Sequence, residues 1–428
     1  MYIPETLKTY GLIIAIVVAS FWFAYKFVPP PPPSHITIAA GSENGMYHKL
    51  ALQYQAFLNE NGIDLEILTT AGSKENITLI NEKKADIGFV QSGLANEENS
   101  QNLVALGSLY YEPLWVFVRS NLSIQNDLQS LKGKKIAIGN EGSGTNDLAL
   151  KLLGENGITD QTLFSAIGGQ DAAAALKSEK IDALFNVSTA SNPVITSLLE
   201  DREIVLMDFE RGAGYSSVLP FITPVKLPEG ALDLARNLPP HDVQLLSPVA
   251  QLIAHDDLNG AIKSLLVRAS VSIHNKADTF AAKGKFPTQH YVDFPLSEEA
   301  DSYYTYGPSF FQRILPFWLA DMLNRMVVMI IPLLGIMIPL LKIASPTYRW
   351  RIRSKIYRWY KNLKKIEARD KNDPDEMNEA LDTLNQIDHD VRHTKVPLSY
   401  SDELYNLRLH IRMIKDQLLQ EISRKPQK

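Results

Sequence analysis

The chain has 428 residues, 45% of them hydrophobic, enough for more than one core because a single core seldom grows beyond about 250 residues. A formal net charge of -5 and a pI near 6.0 exclude a global attraction to nucleic acid, so any basic function has to be local. The absence of cysteine removes disulfide frameworks, thiol catalysis and cysteine-held metals. Residues 1–9 read as a short cytoplasmic N-terminus and residues 10–28 as a first transmembrane helix and signal anchor, since Tyr10 to Tyr25 is uncharged and mostly apolar and Lys26 can snorkel. A cleaved signal peptide is the competing reading, with Val18-Ala19-Ser20 as its site, but cleavage there would leave half the apolar run on the mature chain. Residues 29–35 form a proline-rich linker.

From His35 the pattern changes to short apolar strands alternating with helical periodicity. His35 to Ala40 reads as a strand, Met46, Leu50, Tyr54 and Phe57 recur at helical spacing, and Leu65 to Leu68 is the next strand. Asn76 to Lys84 reads as a helix, and Asp86 to Val90, Leu103 to Tyr110 and Leu114 to Arg119 as strands. A second series starts at Lys135 to Gly139, with helices near 147–153 and 171–177 and strands near 181–187 and 204–207. Continuous β-branched and aromatic runs between helices predict βαβ units and parallel sheets covered on both faces, in two α/β lobes. The expected boundaries are 36–113 plus 245–290 for lobe one and 114–244 for lobe two, with 114–118 and 249–253 crossing the hinge.

Residues 291–322 read as a connector and interfacial helix, and 323–344 as a second transmembrane helix, whose Pro332 and Pro339 are tolerated in a span. Phe310, Phe311, Phe317 and Trp318 before it and Trp350, Tyr357, Trp359 and Tyr360 after it fit interfacial belts. Nine Lys or Arg residues and no acid lie between Lys342 and Lys365, which makes that end cytoplasmic by the positive-inside rule. Residues 345–428 then form a basic cytoplasmic helical or coiled-coil tail: Ile352, Ile356, Trp359, Leu363 and Ile366, then Met377 to Val391, then Leu404 to Ile422, repeat at spacings of three and four. The bland reading of this tail is a stub that orients the span; the other is a site for a protein partner or homo-oligomer, with membrane lipid touching the basic helix.

Ligands of open α/β sheets sit outside the carboxyl ends of strands. Four small, polar loops occupy that place: Gly41-Ser42-Glu43-Asn44-Gly45, Gly72-Ser73-Lys74-Glu75-Asn76, Gln91-Ser92-Gly93 and Gly142-Ser143-Gly144-Thr145-Asn146. Glycine lets backbone approach a ligand, hydroxyls and amides offer partners, and a helix start binds anions without a cation; ordinary helix capping is the alternative for each loop taken singly. The expected ligand contacts are Ser42, Tyr47, Ser73, Asn76, Gln91 and Ser92 from lobe one and Ser143, Gly144, Thr145, Asn146, Asn186 and Asn192 from lobe two. Arg119 and Arg211 are candidate counter-charges for an anion. His241-Asp242 and His255-Asp256-Asp257 lack zincin spacing, Gly142-x-Gly144 lacks the rest of a dinucleotide fingerprint, and Ser143 has no nucleophile-elbow context, so neither catalysis, a metal nor a cofactor is expected.

The stretches Thr70 to Asn76, Ala85 to Ser92, Ser108 to Pro113, Leu131 to Lys135, Gly142 to Thr145 and Lys180 to Phe185 resemble the TAXI family, the solute receptors of TRAP transporters, over roughly Ile36 to Asn275. The first loop departs from that family's usual Gly-Thr-x-x-Gly-x-Tyr-Tyr-Pro: Tyr47 is kept, but the proline is missing and His48 and Lys49 appear. The resemblance implies a two-lobed, type II-like periplasmic-binding-protein fold, here with two transmembrane helices and a helical tail. It also implies a small carboxylate ligand, such as glutamate or a dicarboxylate, and a TRAP-type permease as partner. The domain would sit on the periplasmic face of a bacterial inner membrane, with both termini cytoplasmic. The alternative is a sensor or scaffold that signals through the second span to a cytoplasmic helical partner.

Overall fold

The computed structural model describes residues 15, 17–26, 28, 30–43, 45–122, 126–368 and 374–424. The chain divides into two compact units, Pro30–Asn324 and Met1–Pro29 with Arg325–Lys428. In the first unit, one lobe is begun by β1 (His35–Ala39), α1 (Met46–Glu60), β2 (Asp64–Leu68), α2 (Ser73–Asn81), β3 (Ile87–Gln91) and β4 (Leu103–Tyr111). The chain then builds the second lobe from β5 (Leu114–Arg119), β6 (Ile136–Ala137), α3 (Gly144–Glu155), β7 (Phe164–Ser165), α4 (Gly169–Lys177), β8 (Ala183–Val187) and α5 (Pro193–Leu199). That lobe is completed by β9 (Ile204–Leu206), α6 (Gly212–Val218), β10 (Thr223–Leu227) and β11 (Val243–Ser247). The return to the first lobe is made by β12 (Val249–His255) and α7 (Gly260–His274), with α8 (Glu298–Tyr306) following.

The first sheet has the order β2-β1-β3-β12-β4 and the second β10-β11-β5-β8-β6-β7, with β9 on β5. Neither is the parallel sheet the sequence predicts. β12 runs antiparallel to both β3 and β4, and β5 antiparallel to β8. The physical reason is that a strand buried on both faces reads as a continuous apolar run whatever its direction: β3 and β4 are buried at every residue. Strand alternation then feeds two cores per sheet. Phe89 enters the cluster of Ile38, Tyr54 and Leu265, while its neighbour Val90 enters that of Ala39, Ile80 and Ile253.

The lobe boundaries differ from the expected ones. Leu245–Ser247 pair with β10 in the second sheet, so the return crossing falls at Pro248 and not after Gln244. Phe280, Ala281 and Phe286 pack in the second lobe's core beside Trp115 and Leu245, although they follow the first lobe's α7. The expected connector is part of the fold: Phe294, Ala300 and Phe317 are buried in first-lobe clusters. All three differences arise because apolar residues in a crossing strap read the same whichever core receives them.

After α9 (Phe310–Ile314), one helix, α10 (Phe317–Glu367), runs for 51 residues through the second predicted span, and Pro332 and Pro339 do not end it. Among the described residues, however, no helix is long and apolar enough to cross a membrane. Residues 10–14, 16 and 27 of the first predicted span, and the side chains of 328, 329, 331, 332 and 344 in the second, lie outside the described residues, as do residues 1–9. In the second unit α11 (Pro374–Arg392) and α12 (Ser401–Arg424) share a core with the end of α10, made by Ile356, Leu363, Leu384, Ile387, Leu407 and Ile411. The expected periodicities mark these buried faces.

Candidate functional site

The two crossings, at Glu112-Pro113 and Pro248, are tied by the Glu112 N–H donating to the Pro248 carbonyl at 3.0 Å. Above them the loops that follow β2 and β3 meet the loop that follows β6, and the loop after β1 is bonded to the one after β2. In the first lobe these loops are wired together. The Gly41 N–H donates to Thr70 Oγ1 (2.9 Å), the Thr70 hydroxyl to Asn76 Oδ1 (2.5 Å), and Asn76 Nδ2 to the Phe89 carbonyl (2.7 Å). Asn76 is fully buried, so its amide braces the protein. Ser73, also buried, accepts the Gln91 N–H at 3.0 Å, and the Tyr47 hydroxyl lies 3.5 Å from the same oxygen.

Tyr47, held at the start of α1 with its ring 5.5 Å from that of Phe89, donates to Glu112 Oε2 at 2.8 Å. Tyr110 donates to Glu112 Oε1 at 3.2 Å. Burial pushes the Glu112 carboxyl up to about 7, against the lowering effect of the two hydroxyls. Burial and the neighbouring carboxyl in turn hold both tyrosines well above their ordinary range. The sequence reading missed Glu112 and Tyr110, although an acid between two apolar strands was a visible signal.

The second lobe presents the start of α3. Ser143 caps it, accepting the Asn146 N–H at 3.2 Å while donating to the Asn140 carbonyl at 2.6 Å. Thr145 Oγ1 accepts the Val187 N–H (3.1 Å), and Asn146 Nδ2 donates to the Gly139 carbonyl (3.3 Å). Asn192 caps α5 through the Val194 N–H (2.9 Å) and reaches Ser188 Oγ (2.7 Å). Asn186 differs: it is 9% exposed, and its buried Nδ2 has no hydrogen-bond partner. An unmet buried donor costs about 1–3 kcal/mol, so its retention asks for an acceptor from elsewhere.

Between the lobes the contacts are direct. Gln91 Nε2 donates to the Gly144 carbonyl at 3.2 Å, Ser92 Oγ donates to the Phe221 carbonyl at 3.2 Å, and Lys151 donates to the Gly93 carbonyl. Gly72, at φ +137°, lies so near the opposite loop that an added Cβ would stand 3.3 Å from Ser143 Cα. These loops are therefore in a closed arrangement, with the Gln91 amide where the two lobes meet. Ser42 is exposed in the turn before α1, and Asn44 lies outside the described residues. Arg119 pairs with Glu179 at 3.0 Å and Arg211 with Asp127 at 3.4 Å. A depression lined by Val118, Arg119, Asn126 and Met207 lies at the other end of β5 from these loops. No group of three or more metal-capable side chains is gathered among the described residues. Lys151 and Phe221 carried no signal in the sequence, because only the docking of the lobes brings them to Gly93.

A family model described as the NMT1-like family matches residues 38–270. No curated protein matches the chain. Among solved structures, a protein of Bordetella bronchiseptica RB50 is 23% identical over 56% of this chain and 70% of that one, with a TM-score of 0.40. A histidine kinase sensor domain with similarity to periplasmic binding proteins is 10% identical over 56% and 90%, TM-score 0.37. The periplasmic aliphatic sulphonate binding protein of Escherichia coli is 15% identical over 56% and 69%, TM-score 0.36.

Proposed function

The chain belongs to the NMT1-like family, and from that premise we propose that it is a membrane-anchored extracytoplasmic solute receptor of the TAXI type. Its ligand is a small carboxylate-bearing solute, held between the lobes and passed to a TRAP-type permease. The observation that carries this reading is the unpartnered, buried Asn186 amide in β8, one residue before Val187, whose N–H is held by Thr145 at the start of α3, where Gly72 of the other lobe closes on Ser143. A carboxylate supplies the acceptor that Nδ2 lacks, and α3 favours negative charge at its N-terminus. Ser73, Tyr47 and Gln91 line the opposite side, and Gln91 would exchange the Gly144 carbonyl for the ligand.

Anchoring is supported by α10, on which Val327, Ile330, Leu334, Ile336, Ile338, Leu341 and Ile343 are exposed, followed by eight cationic residues from Arg349 to Lys365. Large apolar side chains bared along one helix need lipid or a partner to cover them. The first span, from Tyr10 to Val28, is proposed with it, and the basic end of α10 meets anionic headgroups.

Thermal-shift screening of the full chain in detergent against amino acids, dicarboxylates and other small anions tests the assignment. A stabilising solute whose effect disappears in Asn186→Leu is expected; a hit untouched by that change removes Asn186 from the site, and no hit among anions ends the carboxylate reading. A second reading, a sensor or scaffold acting through the tail, is favoured by the core that α10, α11 and α12 share, since a delivery receptor has no need of it. Deleting 345–428 separates the two: a receptor keeps solute uptake, whereas a sensor loses its output and keeps binding.

A further inference from the structure

A continuous run of contacts leads from the hinge to the meeting point of the lobes. The Glu112 backbone bonds the second crossing at Pro248, and its carboxyl takes the Tyr47 hydroxyl at 2.8 Å. Tyr47 touches Ser73 Oγ at 3.5 Å, Ser73 takes the Gln91 N–H at 3.0 Å, and the Gln91 side chain reaches the Gly144 carbonyl of the other lobe at 3.2 Å. The carboxyl is buried at the root of this run, and every contact beyond it ends where opening would admit water. We propose that Glu112 is a proton-linked latch, binding a proton as the lobes close and releasing it as they open. The proposal rests on the two-lobed receptor reading and adds to it a control by pH.

The direction follows from solvation. In the closed form Glu112 is held by Tyr47 of α1 and Tyr110 of β4, and these two hydroxyls with its own burial are what act on its charge. Behind Tyr110 stacks His274 of α7, with ring centroids 5.7 Å apart, which burial keeps neutral by pushing it down to about 3. Tyr54, bonded to Ser270, stands against the same histidine. No cation is among the groups acting on the carboxyl, so the closed lobes favour its neutral form. Opening parts Gln91 from Gly144 and lets water reach Ser73 and Tyr47, which favours the carboxylate. Closure therefore takes up a proton, and the closed population falls as pH rises.

The chain has no cysteine, so the exposed pair Lys74→Cys and Glu141→Cys, flanking the touching Gly72 and Ser143, gives two unique spin-label sites on opposite lobes. Pulsed electron resonance on the full chain in lipid nanodiscs, from pH 5.5 to 8.5, is expected to show the short distance giving way to the long one as pH rises to about 7, with no further change above it. The ratio should change by at most about tenfold per pH unit, as one proton requires. In Glu112→Gln the ratio is expected to vary less than twofold across the range. Tyr47→Phe, which removes a donor that favours the carboxylate, is expected to extend the fall to higher pH before it levels off and serves if the first variant does not fold. A wild-type distance that ignores pH, or a pH response that survives Glu112→Gln, overturns the latch. Solute binding by the same labelled chain tells that failure from a failure of the receptor reading, which predicts binding at either pH.

Discussion

In the first lobe, Thr70, Asn76, Ser73, Tyr47 and Glu112 bond to one another across three loops, whereas in the second, Ser143, Asn146 and Asn192 brace the starts of their own helices. The first arrangement couples α1, α2 and the hinge, so a change at one residue is felt at all. The second ties its loops by fewer side-chain bonds, chiefly Thr145 to Val187, and its Asn186, like Gln251 of the first lobe, has a buried amide nitrogen with no partner among the described residues. The bracing between loops thus resides mainly in the first lobe.

Asn76→Ala should break this comparison most sharply if it is wrong. It strands the buried Thr70 hydroxyl and Phe89 carbonyl, and a loss of about 2–4 kcal/mol is expected, read as a lowered melting transition of the full chain. An unchanged transition would mean the first-lobe loops are not held by this amide. Glu112→Gln comes next and is dependent on pH. Folded Glu112 keeps its proton up to about 7, whereas the unfolded chain loses it near 4.5. Wild-type stability from this group is therefore present below 4.5 and is lost as pH rises to 7. The variant should gain on wild type by something on the order of 3 kcal/mol between those limits, followed by melting at pH 4.5, 6 and 8. A constant difference would show that the carboxyl is not neutral when buried.

Ser143→Ala removes a cap from one helix, and about 1 kcal/mol should be lost, with hydrogen exchange rising in the first turn of α3 alone. Exchange that also rose around Ser73 would contradict the sparser bracing of the second-lobe loops. Asn186→Leu is the smallest and has the opposite sign: replacing an unmet buried donor by an apolar group should leave melting unchanged or raise it by up to about 1 kcal/mol. Destabilisation would mean the amide is bonded in the protein and is not waiting for a ligand.

The elements were legible because burial imprints periodicity. Met46, Leu50, Tyr54 and Phe57 mark α1, and Ile356, Leu363, Leu384 and Leu407 mark helices that share a core. Strand direction was not, since β12 and β3 are equally apolar and run opposite ways. Candidate loops were identifiable as Gly- and Ser-rich strand ends, but which side chains remain free was not: Asn76 in the first turn of α2 has both amide atoms bonded, whereas Asn186 inside β8 has a nitrogen without a partner. The apolar runs at 10–28 and 323–344 stand out in the sequence, while the described residues contain no helix that meets the requirement for a span.

By itself the sequence determined the main strands and helices of the two α/β series up to residue 207 and the amphipathic faces of the tail, because these depend on the spacing of apolar residues along the chain. Only the tertiary structure decided that Glu112 is buried between Tyr47 and Tyr110, that Gln91 meets Gly144, and that Leu245 to Ser247 belong to the second sheet. Those facts depend on which surfaces dock after the elements form. Solvation, and with it the charge of a carboxyl or the need of an amide, is a property of that docking and not of local spacing.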